Sequence, residues 1–382
     1  MSGFSRSRTI PALAAGLIAV AVPASAAAAA AQGVRPASDH GNEFRQTNLI
    51  SDLTNQGAQV VDPNLQNPWG LAFGPATPLW VADNNGNVAT IYTITPGGKV
   101  AANTNHVVTL PGGRASTGDG ASPTGQVFNP TSGFVVTSKA GSGPALFIFS
   151  AEAGQISAWS PAADPFAGNN ATGQVEFSSP TAVYKGLTIA HTHGQTFLYA
   201  SNFHDGTVDV FNSQFQLVHL RRDFHDPGIP AGFAPFGIQA IRGLIFVTYA
   251  KQNAAKHDDV GGPGNGFIDV YTKQGFLVKR LVSRGDLNSP WGLALAPEEG
   301  FGPFSGDLLV GNFGDGLIHA YDLFSGRPDG ALLNEQGQPI QIDDLWALKF
   351  GSDSTGGEHT LLFSAGINDE KDGLVGSINH VR

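Results

Sequence analysis

The feature that most constrains the fold is an internal repeat. The segment NPWGLA at residues 67–72 recurs as SPWGLA at residues 289–294, and each copy is followed by two apolar runs separated by a polar turn. An apolar run of this length bounded by turn residues is typical of a short β-strand. Weaker copies are marked by Lys185, Phe236, Trp346 and, in the most degraded form, Asn129 with Pro130.

The spacing of the copies indicates the architecture. Lys185 lies 51 residues before Phe236, and both Phe236 to Trp291 and Trp291 to Trp346 are 55 residues apart. A period near 50 residues that carries three or four short strands is typical of a β-propeller blade. The runs show no helical periodicity, which argues against a helical solenoid. The sequence therefore predicts an all-β protein with a single six-bladed β-propeller over residues 44–382.

Closure of the ring needs a strand from the other end of the chain. The last copy has room for only three strands before Arg382, whereas the middle copies have four. Residues 44–50 have the pattern of the missing strand, and without it two sheet edges would stay unpaired. We therefore expect residues 44–50 to pair with residues 374–378 and complete the last blade.

The N-terminal region has the pattern of a secretory signal. Arg6 and Arg8 precede a short apolar stretch at residues 10–22, and a run of small residues follows from Pro23. The stretch is short for a bilayer span of about 20 residues, so a membrane anchor is the less favoured alternative. We expect residues 1–31 to be a signal peptide and residues 32–43 a flexible leader. The mature protein is then secreted or periplasmic and has no transmembrane anchor.

Composition excludes several function classes. The 382 residues include no cysteine, which excludes cysteine nucleophiles and cysteine-ligated zinc. Lys and Arg number 21 against 31 Asp and Glu, for a formal net charge of −10. An acidic surface repels phosphate backbones, so no nucleic-acid partner is expected.

Polar residues are predicted to collect at one end of the propeller channel. In an up-and-down blade the start of the first strand and the turn between the second and third strands lie at the same end, here called the mouth. Asn129 and Asp344 are predicted to precede first strands there, and Phe236 is predicted to join three tryptophans in an aromatic collar near the axis. The predicted ligand-binding residues at the mouth are Asn67, Trp69, Asp83, Asn84, Asn202, Asp205, Asn288, Trp291, Asn312, Asp315, Trp346 and Asp369.

These residues have both a functional and a structural interpretation. Carboxylate and amide oxygens are the ligands that Ca²⁺ prefers, and Asp205 and Asp315 are the candidate metal ligands. The structural alternative is that each Asp belongs to an Asp-Gly hairpin turn of type I′, whose two central residues need positive φ. The repeated Pro-Trp-Gly likewise suits packing between blades. No catalytic residue is identified.

Two histidine-containing segments are weaker candidates. His191-Thr192-His193 is expected in the turn between the first and second strands of its copy, on the face opposite the mouth, with both imidazoles on one side of a strand. His257-Asp258-Asp259 lies in a long connection at residues 251–265. Long loops in compact folds are often functional, and this one is placed to cover the mouth.

Four motifs resemble those of an uncharacterised family of secreted bacterial β-propellers, some of which end in a Pro-Glu-Pro sorting anchor. They are APFGIQ at 234–239, NSPWGLA at 288–294, GNFGDG at 311–316 and LWAL at 345–348. The chain lacks the anchor, which implies a freely released form. More distantly the copies resemble NHL repeats and gluconolactonase-type hydrolases, which hold a divalent cation in the channel. Their ligand set has no one-to-one match here, so that likeness concerns the fold alone.

Two functions follow as hypotheses. The favoured one is a binding or scaffold module outside the cytoplasm, whose partner is a small molecule, a glycan, a protein or another envelope component. The alternative is a divalent-metal-dependent hydrolase, lactonase-like, with its site at the mouth. A metal ion there would lower the pKa of a bound water and polarise a carbonyl.

Overall fold

The computed structural model describes residues 41–101, 106–113 and 120–381. The predicted signal peptide, residues 1–31, and most of the predicted leader lie outside the described residues. Within the described part of the chain, no helix is long and apolar enough to cross a membrane.

The described residues form six blades, which confirms the predicted fold class. Blade 1 contains Pro68–Ala72, Leu79–Asp83, Val88–Tyr92, His106–Thr109 and Asn170–Thr172, and blade 2 contains Pro123–Phe128, Phe147–Ala151, Gln155–Trp159 and Gln174–Ser178. Blade 3 contains Tyr184–Thr192, Gln195–Asn202, Thr207–Phe211 and Leu217–Val218, and blade 4 contains Phe233–Ile241, Leu244–Lys251, Gly266–Tyr271 and Leu277–Ser283. Blade 5 contains Pro290–Leu295, Leu308–Asn312, Ile318–Tyr321 and Pro328–Ala331, and blade 6 contains Leu345–Phe350, Leu361–Ala365, Leu374–His380, Phe44–Ser51 and Val60–Val61. Outside the blades lie a hairpin of Val135–Thr137 and Ser142–Pro144, a 3₁₀ turn at Gly302–Phe304 and a short helical turn at Ile367–Glu370.

Blade 6 is assembled from both ends of the described chain. Phe44–Ser51 runs antiparallel to Leu374–His380, in a register from Phe44 opposite His380 to Ser51 opposite Leu374. Phe44, Leu49 and Ile50 are fully buried. The strand therefore supplies both ladder hydrogen bonds and core side chains to this blade.

Small residues let the first strands approach the axis closely. Gly125 and Gly237 occupy the same position in their strands, where a Cβ would lie 2.3 Å from the Leu187 nitrogen and 2.1 Å from the Trp291 oxygen. Only glycine fits such a contact. The residue before this position is called the axial residue of its blade. In order, the axial residues are Trp69, Thr124, Lys185, Phe236, Trp291 and Trp346.

The core lies between facing sheets. Between blades 2 and 3, for example, Ile148, Tyr184 and Leu198 pack in one buried cluster. Each blade is a thin sheet with two apolar faces, so neighbouring blades must cover both of them.

One prediction about the second blade was wrong. Asn129 was placed before its first strand, but the strand is Pro123–Phe128 and Asn129 follows it, at the end opposite the mouth. The true copy of the repeat begins at Ser122, whose positive φ of 52° matches that of Asn67 at 48°. The motif was hidden because Thr124 stands where blades 1, 5 and 6 have tryptophan.

Candidate functional site

Aromatic rings close the axis of the propeller just inside the mouth. Trp69 and Trp346 stack with ring centroids 3.4 Å apart, and Trp291 stands edge-on to both at 6.1 and 5.7 Å. Phe236 contacts Trp346 at 5.9 Å and Phe313 stacks on it at 4.1 Å. These five side chains are called the aromatic plug. The four rings predicted to lie near the axis thus contact one another and fill it.

Lys185 takes the axial position of blade 3, where four other blades have an aromatic ring. Its side chain is 3% exposed, and its Nζ lies 5.1 Å from the centroid of the Trp69 ring. It forms ion pairs with Glu152 and, at 3.5 Å, with Asp258. Burial alone would lower the pKa of Lys185, but the two carboxylates outweigh it and raise the pKa. The side chain therefore remains a buried ammonium.

The repeat itself explains why Glu152 lies beside Lys185. In five of the six blades, the backbone N–H just after the second strand donates to the carbonyl two residues before the axial residue. Glu152 bonds Ser122 in this way at 3.0 Å, and Asn84 bonds Asn67 at 3.1 Å. Glu152 and Asn84 therefore lie at equivalent places on the mouth, and the Asn84 amide donates to the second Glu152 oxygen at 3.0 Å.

The long connection of blade 4 adds two more groups. His257 Nδ1 lies 2.7 Å from Asp258 Oδ1, the same oxygen that faces Lys185. The hydrogen bond from His257, aided by Lys185, lowers the pKa of Asp258 to about 2. The same bond raises the pKa of His257. The loop predicted to cover the mouth thus contacts the buried Lys185 ammonium through Asp258.

Three of these side chains could together hold a metal ion. The ligand atoms of Glu152, His257 and Asp258 all lie within 4.8 Å of one another. A set of one imidazole and two carboxylates suits Zn²⁺ or Mn²⁺ better than Ca²⁺, which prefers oxygen alone. Because these atoms also bond Lys185 and one another, an ion would compete with the ammonium.

Glu370 reaches the mouth on a strained turn of blade 6. Asn368, Asp369 and Glu370 have φ of 61°, 56° and 61°, a left-handed conformation that is uncommon for residues other than glycine. Burial, and then the charge of Glu152, raise the pKa of Glu370 to about 8. Strain of this kind and perturbed carboxyl groups both concentrate at functional sites.

The predicted asparagines mostly stabilise the mouth itself. Asn67 Oδ1 accepts the indole N–H of Trp69 at 3.1 Å and that of Trp346 at 3.2 Å. Asn312 Oδ1 accepts the Asn288 backbone N–H at 3.2 Å. Asp83 is fully buried inside the blade, where its carboxylate accepts hydrogen bonds from the backbone N–H and the hydroxyl of Thr90.

The predicted metal ligands Asp205 and Asp315 also bond neighbouring amides. Asn202 donates to Asp205 at 3.0 Å, and Asn288 donates to Asp315 at 3.1 Å. Neither Asp belongs to the group of potential metal ligands that the described residues form. In each Asp-Gly pair only the glycine, Gly206 or Gly316, has positive φ. The prediction of type I′ turns is therefore wrong. Each is a longer turn, closed by an N–H from glycine to the preceding asparagine carbonyl.

Two of the predicted residues do share a pocket. Asp315 and Asp369 line a pocket of about 410 Å³ together with Asp343 and Asp344. Burial, followed by the charges of Asp343 and Asp369, raises the pKa of Asp344. This part of the mouth is strongly acidic.

The two histidines near residue 192 lie on the opposite face, as expected, but not side by side on a strand. His193 has a positive φ of 49° and sits in the turn between the first two strands of blade 3. His191 Nδ1 lies 3.0 Å from Thr196 Oγ1 and His193 Nδ1 3.1 Å from Thr192 Oγ1.

Sequence analysis missed Glu152, Lys185 and Glu370 as site residues. The signal for Lys185 was present, because it stands in the repeat where a ring is expected. A charged residue at an axial position needs charged partners at the mouth, and such a cluster of charges is a candidate functional site.

The raised pKa of Glu370 predicts a pH-dependent stability. In the folded protein this carboxyl holds its proton up to about pH 8, against an ordinary value of 4.5. The folded state therefore binds more protons than the unfolded state between these values, and stability falls as the pH rises, by at most about 1.4 kcal/mol per pH unit. Glu370→Gln should flatten this decline. Urea unfolding of both proteins from pH 5 to 8 measures it, and identical slopes would contradict it.

Comparison with known proteins finds relatives in a mimivirus. No family model matches the chain. "Uncharacterized protein R648" of Acanthamoeba polyphaga mimivirus is 33% identical over 86% of this chain and 78% of its own length. "Uncharacterized protein L690" of the same virus is 32% identical over 87% of this chain and 85% of its own. The resemblance to secreted bacterial propellers therefore stays a prediction.

The chain is also similar, at low identity, to some solved structures. An aldose sugar dehydrogenase from Streptomyces coelicolor, solved in its PQQ-bound form, has a TM-score of 0.48 at 14% identity over 88% of this chain and 99% of its own. An α-L-arabinanase from Penicillium chrysogenum has a TM-score of 0.49 at 10% identity over 88% and 98%. At this level of identity the likeness concerns the fold alone.

Proposed function

The chain belongs to the same protein family as the mimivirus proteins R648 and L690, and from the geometry of its mouth we propose that it is a binding propeller. In this proposal the mouth holds a divalent cation and engages a polar ligand through it. The observation that carries the proposal is the convergence of Glu152, His257 and Asp258, whose ligand atoms lie within 4.8 Å of one another.

The charge balance of the mouth supports a cation. Glu152, Asp258, Asp259 and Glu370 all interact electrostatically with Lys185, and one ammonium cannot neutralise four carboxyl groups. Burial raises the pKa of Asp259, as it does that of Glu370. Burial favours the protonated form of both groups, and a bound cation would favour their ionised form.

The rim of the mouth suggests the class of ligand. Asp315, Asp343, Asp344 and Asp369 offer oxygen acceptors around one pocket. An uncharged ligand can donate hydrogen bonds to these carboxylate oxygens through its hydroxyl groups. A glycan or another polyhydroxylated molecule is therefore the proposed ligand class. A peptide with basic side chains is the alternative ligand.

A second candidate is a metal-dependent hydrolase, favoured by two observations. Three protein ligands leave a fourth position for water, which is the arrangement of catalytic zinc sites. A metal would supply an activated water there. Glu370, with its pKa raised to about 8, would hold a proton near neutral pH and could give it to a leaving group.

One experiment separates the two candidates. Metal analysis of the purified protein is combined with a screen of lactone and ester hydrolysis, on wild type and on His257→Gln. A binding propeller should retain metal and hydrolyse nothing. A hydrolase should turn over at least one substrate and lose this activity in His257→Gln.

We also propose that the protein acts outside the cytoplasm, from the signal-peptide pattern of residues 1–31. The mature protein is then expected to start between residues 27 and 33. Mass spectrometry of protein expressed in a bacterial host would show the start directly, and a chain that retains Met1 would contradict the proposal.

A further inference from the structure

We propose that a second site, on the other side of the aromatic plug, binds a small organic carboxylate that also carries a hydroxyl group. The first strands of all six blades enclose a cavity of about 320 Å³ there, beyond their axial residues. Trp291 is the residue of the plug that lines it. The volume is at the lower end of the range of small-molecule pockets, roughly 300 to 1,000 Å³.

Lys349 gives the cavity its charge preference. It lies in Leu345–Phe350 and lines the cavity, and within the described part of the chain its side chain makes no hydrogen bond or ion pair. Its contact is with the Phe73 ring, whose centroid lies 4.9 Å from Nζ. Burial lowers the pKa of Lys349, and no carboxylate opposes this effect. The residue is partly buried, and an unpaired ammonium that is partly removed from water is stabilised by an anion that reaches it.

The other cation on the cavity wall is already balanced. Arg242 lines the cavity but forms an ion pair with Glu298. Lys349 is therefore the cation that a ligand in the cavity would contact, and one carboxylate would form an ion pair with it. Leu71, Leu187 and Leu293 line the same cavity, so the body of the ligand lies against apolar side chains.

Gln126 supplies the second polar contact. Its side chain is buried, at 5% exposure, and its Nε2 donates to the carbonyls of Gly70 and Trp80, each at 2.6 Å. Its Oε1 has no hydrogen-bond partner among the described residues. Oε1 has almost no exposed surface, so a ligand hydroxyl would reach it only after a small shift of the Gln126 side chain. A buried acceptor without a donor is costly, and this cost favours such a contact. The site thus pairs one cation with one acceptor inside apolar walls.

The test is a calorimetric titration with three matched probes. Mandelate carries a carboxylate, a hydroxyl and an apolar ring; phenylacetate lacks the hydroxyl, and mandelamide lacks the charge. Wild type should bind mandelate at least about 10-fold more tightly than mandelamide and about 3-fold more tightly than phenylacetate. Lys349→Met should bind mandelate at least about 10-fold more weakly, whereas Lys139→Met, a change at an exposed lysine, should bind as wild type does.

Thermal unfolding of Lys349→Met shows whether weaker binding results from a loss of the fold. Lys349→Met should be at least as stable as wild type, because it replaces an unpaired, partly buried ammonium with an apolar chain of similar length. The proposal is overturned if Lys349→Met binds mandelate as wild type does, if mandelamide binds as tightly as mandelate, or if wild type gives no saturable heat. A large loss of stability in Lys349→Met would also overturn it, since Lys349 would then have a structural partner.

Discussion

Deletion of residues 33–52 is expected to lower the melting temperature of the propeller by about 8 °C or more. The deletion removes Phe44–Ser51, which is paired along its length with Leu374–His380. Phe44, Leu49 and Ile50 are fully buried, and each such side chain contributes about 2 kcal/mol or more. A loss of about 6 kcal/mol corresponds to a shift of this size in a large domain. The exposed edge of Leu374–His380 should also promote aggregation.

The matched control is a deletion of residues 33–40, which keeps the whole strand. Thermal unfolding followed by circular dichroism would compare the two deletions with the full mature chain. The shorter deletion should melt at the same temperature as the mature chain. If the longer deletion were equally stable, the strand would not contribute to ring closure.

Replacement of Lys185 by methionine is expected to reduce the free energy of unfolding by about 3 to 5 kcal/mol. The change leaves the Glu152 carboxylate, whose side chain is 13% exposed, without its cation. Loss of one partner from a buried ion pair has this magnitude because the remaining charge is uncompensated. A divalent cation should restore part of the stability in Lys185→Met, since the ammonium no longer competes for Glu152 and Asp258.

Urea unfolding with and without excess Mn²⁺ measures both effects. The double variant Lys185→Met, Glu152→Gln should be more stable than Lys185→Met alone, because it removes the uncompensated charge. It should also lose the stabilisation by Mn²⁺. Equal stability of the single variant and wild type would show that the ion pair is not important for the fold.

The sequence predicts the propeller well because its strongest signal is repeated. Pro-Trp-Gly marks the first strands of blades 1 and 5, and the glycine that follows the axial residue in blades 1 to 5 is required by backbone contacts with the next blade. The signal fails where the axial residue changes. In blade 2 the axial residue is Thr124, so the sequence pattern does not reveal the first strand. Asn129 is for this reason placed before that strand, although it follows it.

The candidate site was harder to predict, for two physical reasons. Glu152, Lys185 and His257 come from three consecutive blades and Glu370 comes from blade 6, so they are far apart in the sequence and meet only in the folded propeller. In addition, an asparagine before Pro-Trp looks the same in sequence whether it binds a ligand or the protein. In Asn67 the amide oxygen is occupied by two indole N–H groups, and only the structure shows this.

The central claim is that the mouth binds a divalent cation through Glu152, His257 and Asp258. Its most direct test is a calorimetric titration of wild type and His257→Gln with Mn²⁺, repeated with Zn²⁺ and Ca²⁺. His257 is half-exposed, so its replacement should leave the fold intact. The double variant Asp205→Asn, Asp315→Asn is the control, since neither Asp belongs to the group. The account predicts a saturable heat in wild type and in the control, with at least about 10-fold weaker binding in His257→Gln. Equal heats for wild type and His257→Gln, or no heat from wild type with any of the three ions, would contradict it.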